Sequence, residues 1–160
     1  MRHILASGIA MVLLACDIPD QSAQNTMSSA TTNLTEGVLG DPEMSLVLPA
    51  GETLTVSCGP SSEMVYVNTK RPGPGPAPLH GVFGVFTVDG SEIPPTELGQ
   101  GMRGQWTAHD RNPIRPLAQR LVAANIISFE PPGKFGGGAP IVWTNTLRVD
   151  ARQKIIKACL

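Results

Sequence analysis

Glu52-Thr53-Leu54-Thr55-Val56-Ser57-Cys58 alternates residue by residue: Leu54, Val56 and Cys58 fall on one side of an extended chain, Thr53, Thr55 and Ser57 on the other. A period of two marks a strand with one buried face, and it sends Cys58 to the core side. At the far end of the chain the period changes. Ala151, Ile155, Ala158 and Cys159 share one face of a short helix, which Asp150 and Gln153 open as a D-x-x-Q pair resembling a capping box. Cys159 therefore also points inward. Two different periodicities bring the sulfurs to the same side, so a disulfide is expected between Cys58 and Cys159. Closing a loop of about 100 residues would contribute roughly 4 to 5 kcal/mol in the chain-entropy account. Two unpaired buried thiols are the alternative.

Working outward, residues 45–48 are a short apolar run closed by Pro49-Ala50-Gly51, and residues 63–69 read as the hairpin partner of the alternating strand, across Gly59-Pro60-Ser61-Ser62. Residues 82–88 carry apolar side chains on both faces, which predicts a central strand turned by Asp89-Gly90. Residues 93–104 read as a Pro- and Gly-rich connection, followed by a short strand at 105–108. Ile114, Leu117, Ala118, Leu121 and Val122 fall at helical spacing, with Arg115, Gln119 and Arg120 on the wet side. Strands follow at 126–129 and 141–149. With 17 glycines and 15 prolines in 160 residues, short strands joined by turns fit better than a helical bundle. The expected fold is α+β and mainly β: a small antiparallel sheet or sandwich with one amphipathic helix at about 114–124 and a short C-terminal helix, closed by one disulfide.

The N-terminus reads as an address. Arg2 precedes an uncharged apolar run over 4–15, too short for a bilayer span of about 20 residues, and this is the pattern of a secretory signal. Leu13-Leu14-Ala15-Cys16 resembles the lipobox of bacterial lipoproteins. That resemblance implies cleavage before Cys16 and lipidation there, palmitate included. Ordinary cleavage after Ala15 would place Leu13 where a small residue is preferred. A retained N-terminal helix would find nothing to pack on in the polar stretch that follows. The implied organisation is a signal peptide at 1–15, a lipidated flexible tether at 16–43 and one globular domain at 44–160. As a coil, about 25 residues reach roughly 25 to 30 Å. Asp17, just after the lipidated cysteine, implies inner-membrane retention in some bacteria, and inner versus outer membrane stays open. Export agrees with the cysteine count: once Cys16 is consumed, an even pair remains.

Charge is unevenly spread. Between Cys16 and Thr69 there are seven acids and no Lys or Arg; from Lys70 onward eleven basic residues face six acids. No dense basic run with interleaved aromatics argues for nucleic acid. His80 and His109 are isolated from other ligand types in sequence, and two distant cysteines do not make a structural zinc site. Pro131-Pro132-Gly133-Lys134 fails as a phosphate loop, because Phe135 stands where Ser or Thr is required. No Gly-x-Ser-x-Gly elbow occurs.

The function expected is therefore a membrane-anchored cell-envelope lipoprotein facing the periplasm. It acts as a binding or structural module, with no catalytic site, cofactor or metal, and its partners are the membrane through the lipid and an envelope protein or glycan. Candidate interaction loops are the stiff stretch containing Pro72, Pro74 and Pro76, and the tip containing Phe135, Gly136 and Gly137. Two alternatives stand beside it. One is an exported hydrolase with a site assembled from distant residues such as His109 and Asp110. The other is a small inhibitor- or immunity-type lipoprotein acting through those loops.

Overall fold

A computed structural model describes residues 30–37, 40–59, 63–70, 82–100, 104–108, 114–132 and 139–160. The elements run β1 (Thr31–Glu36), β2 (Pro42–Val47), β3 (Thr53–Cys58), β4 (Glu63–Asn68), β5 (Val82–Val88), β6 (Ser91–Glu92), β7 (Thr96–Gln100), β8 (Gln105–Ala108), α1 (Ile114–Ala123), β9 (Ile126–Glu130), β10 (Ile141–Thr144) and α2 (Val149–Ala158). The strands form one antiparallel sheet in the order β1-β2-β3-β4-β8-β7-β5-β9-β10, with β6 paired to β5 beside that path. The mainly β, α+β expectation holds at this level; the layout is one curled sheet rather than two stacked ones.

The right-handed twist of neighbouring strands accumulates across a wide sheet and rolls it up. Here the roll brings the two ends together. The Thr146 backbone N–H donates to the Thr32 hydroxyl at 3.1 Å, and the two hydroxyl oxygens lie 2.9 Å apart. Alternation puts Leu54, Val56 and Cys58 of β3 on the concave face, all at 0% exposure. Met44 and Leu46 of β2 and Val65 and Val67 of β4 lie opposite them in register. Trp106, Trp143, Phe86 and Phe129 fill the remainder, the last two with ring centroids 4.8 Å apart. Each such side chain contributes about 1.5 to 3 kcal/mol over leaving it in water. Gly84 shows how tight this filling is: a Cβ there would lie 2.5 Å from Leu98 Cδ1 and 2.6 Å from Phe129 Cε2.

Both helices pack on that concave face, α1 against β3 and β4, α2 against β2, β3 and α1. The five apolar residues of the helical period, Ile114, Leu117, Ala118, Leu121 and Val122, are all buried. Pro116 is tolerated because it sits in the first turn, where a backbone N–H has no intrahelical acceptor anyway. Asp89 and Gly90 both take positive φ, the geometry of a two-residue hairpin turn whose twist matches its strands.

Several expectations are corrected. Within residues 16–43, expected to be a flexible tether, β1 occupies Thr31–Glu36 and β2 begins at Pro42, and residues 16–29 lie outside the described residues. As an edge strand exposed at most positions, β1 needs no apolar period, so its β-branched threonines were its only sign. The connection at 93–104 contains β7, hidden because Pro94-Pro95 separates it from β6. The second face of β5 is open, with Phe83 53% exposed. The strand expected over 141–149 stops at Thr144, and Val149 starts α2. The capping box is not formed: the N-cap is Arg148, without a side-chain cap, and Asp150 lies inside the helix.

Candidate functional site

Cys58 and Cys159 are bonded, with Cα atoms 5.0 Å apart and a sequence separation of 101. Both are buried, and the bridge fastens the end of α2 to the end of β3. The other sequence-predicted positions, Cys16, Pro72, Pro74, Pro76, Phe135, Gly136 and Gly137, lie outside the described residues, as do His80, His109 and Asp110. Among the described residues, no group of three or more His, Cys, Asp or Glu side chains could hold a metal ion.

Around the bridge, the polar groups hold helices in place. Arg115 and Gln119 lie outside the buried face of α1, as expected, and from there reach the end of α2. Arg115 donates to the Leu160 carbonyl at 3.4 Å and pairs with Glu63 of β4; the Gln119 amide donates to the Cys159 carbonyl at 3.2 Å. These carbonyls are left over at a helix C-terminus, so they accept donors readily. The other end of α2 is held by a second knot. Buried Asn145 donates to the Val122 and Ala124 carbonyls at 3.1 and 3.0 Å and accepts the Leu147 N–H. Arg152 donates to the carbonyls of Ala123, Ala124, Asn145 and Leu147 and to Asn125 Oδ1, at 2.7–3.1 Å. A guanidinium at the end of α1 also meets the negative end of that helix dipole. Asn145 explains why β10 ends early: its side chain serves α1, and the backbone turns away.

The convex face of the sheet is organised differently. Antiparallel register aligns Asn33, Ser45, Thr55, Tyr66, Thr107 and Gly99 in one row across β1, β2, β3, β4, β8 and β7. A second row runs Thr31, Val47, Thr53, Asn68 and Gln105. Neither contains a charged residue. Among the described residues, no side-chain hydrogen bond engages Ser45, Thr55, Tyr66 or Thr107. Burial raises the pKa of Tyr66 above its ordinary value. The polar halves of these strands were readable as Thr53, Thr55 and Ser57. Their alignment with Tyr66 and Thr107 was not, because a row across strands is set by register between segments distant in sequence.

Comparison with protein families, curated proteins and solved structures finds no match to this chain.

Proposed function

We propose that the protein is an exported, lipid-anchored envelope protein, acylated at Cys16, whose folded domain is a binding module working from its outer surface. The observation that carries this reading is the filled interior. Trp106, Trp143, Phe86 and Phe129 are at most 1% exposed on the concave side, and both helices close over it, so that side is spent on folding. Ligand sites inside small β-folds need a hollow centre, as in barrels that hold a ligand. The buried Cys58–Cys159 bridge supports the export half, since disulfides persist in oxidising compartments. No helix of the described residues is long and apolar enough to cross a membrane, and in this reading attachment comes from the acyl chain.

Two measurements test it. Intact mass of protein purified from its native cells should show a chain starting at an acylated Cys16, and Cys16→Ser should move it from the detergent phase to the aqueous phase. Crosslinking on native membranes, followed by recovery of the full chain, should yield a defined complex with an envelope component. An unprocessed start at Met1 with all three thiols free would overturn the reading, and so would turnover of an envelope substrate by the purified protein.

A further inference from the structure

Charge is sorted by layer in this fold. In the sheet and its connections, the described residues include nine acids and a single Lys or Arg, Lys70. Across α1, and from Arg148 through α2 to Leu160, the balance reverses: Arg115, Arg120, Arg148, Arg152, Lys154 and Lys157 stand against Asp150 alone. The uneven spread of charge along the sequence thus becomes, among the described residues, a division between the sheet and the helical layer. We propose that the exposed side of the helical layer docks on an anionic phospholipid surface, through Arg120, Lys154 and Lys157 with Val149 at one end. The proposal adds a second membrane contact to the acyl anchor read above and does not depend on it.

Packing makes these cations one surface. The helices run antiparallel, joined at one end by the Gln119 amide on the Cys159 carbonyl and at the other by Arg152 on the Ala123 carbonyl. Their apolar sides face the core, which leaves Arg120 of α1 exposed. On α2, Asp150, Gln153, Lys154 and Lys157 form an exposed stripe at i, i+3, i+4 and i+7. Asp150 is paired with Arg148, and Glu63 with Arg115, which also meets the Leu160 main-chain oxygen at 3.4 Å. Arg120, Lys154 and Lys157 pair with no acid among the described residues. Arg152, bonded to neutral carbonyls, adds its charge to theirs. Guanidinium and ammonium groups bind phosphate oxygens, and each cation near an anionic membrane strengthens attachment to it. The same surface repels the acidic sheet, so its field turns the helices toward lipid and the sheet away. Lipid is favoured over nucleic acid because neither helix carries an aromatic side chain for base stacking. Val149, 73% exposed at the start of α2 and one turn before Gln153, instead offers an aliphatic group to the boundary between headgroups and acyl chains.

The test uses the full chain purified from its native cells and reconstituted with vesicles of phosphatidylcholine, alone or mixed with phosphatidylglycerol. Pulsed amine labelling, read by mass spectrometry, compares Lys154 and Lys157 with Lys70 on the sheet side. Whatever holds the N-terminus to lipid is the same in both vesicle types, so the difference between them reports docking of the folded domain. The ratio of docked to undocked domain should rise roughly a hundredfold with the anionic lipid, about fivefold for each of three exposed cations. Labelling of Lys154 and Lys157 should slow accordingly, that of Lys70 should not, and added salt should reverse the effect. Arg120→Gln should reduce the docked ratio about fivefold, and Val149→Ser about tenfold. Circular dichroism and melting of each variant establish that the fold persists. Equal labelling in both vesicle types, or equal slowing at Lys70, overturns the proposal. So does protection by soluble heparin without protection by anionic vesicles, which would make the partner a soluble polyanion. Equal labelling beside an acylated Cys16 removes the docking face and leaves the anchored reading standing. Protection in a chain whose mass shows no acyl group removes the anchor and leaves the docking face.

Discussion

The two faces of one sheet make the instructive contrast. On the concave side, Leu54, Val56, Val65 and Val67 are in contact with a filled core and two helices, and the polar side chains Asn145, Arg152, Arg115 and Gln119 each hold backbone carbonyls. On the convex side, one residue away along the same strands, the side chains of Thr55, Tyr66 and Thr107 make no hydrogen bond among the described residues. Stability is thus concentrated on one face. A strand's period of two makes this division possible, because adjacent residues face different environments.

Substitutions can break or sharpen that contrast. The largest effect is expected from the bridge: Cys159→Ser should lower stability by about 4 to 5 kcal/mol, read as a lower urea midpoint, with the end of α2 losing amide-exchange protection first. Next come paired changes on β3. Leu54→Ala on the concave side should cost about 2 to 5 kcal/mol, whereas Thr55→Ala beside it should stay within about 0.5 kcal/mol. Equal losses from both would erase the proposed division of labour. Gly84→Ala should cost about 1 to 3 kcal/mol by overpacking Leu98 and Phe129, measured by thermal melting. The smallest effect is electrostatic. Tyr66 is the chain's single tyrosine, so ultraviolet titration of tyrosinate reports that site alone. Its midpoint should lie above the ordinary value of about 10 in the folded protein and return to it in denaturant. The folded state holds that proton more tightly, so its stabilisation is complete below the ordinary pKa and is lost as pH rises through the folded one. Thr55→Lys beside the ring should lower the midpoint, because a nearby cation favours the phenolate.

Much of the fold was legible where a pattern was local and apolar. The face of α1 was readable because five apolar residues repeat at helical spacing, and the bridge because Cys58 and Cys159 each sit on the apolar phase of their own element. Legibility failed where burial is shallow or where a side chain serves a distant element. Edge strand β1 has one apolar residue, Leu34, and even that is 38% exposed. Asn145 looked like the middle of a strand because nothing local reveals that its amide will be consumed by carbonyls on α1. The expected capping box failed similarly, since the knot around Arg152 fixes where α2 begins.

By itself, the sequence determined the class of fold, the inward phase of its main strand and two helices, and the pairing of two sulfurs, because those follow from the spacing of apolar residues along a short stretch of chain. Only the tertiary structure decided that the strands join in one sheet rolled until Thr32 meets Thr146, and that Ser45, Thr55, Tyr66 and Thr107 stand in one row. Register and closure depend on how segments far apart in the chain pair with one another, and no periodicity within a segment encodes its partner.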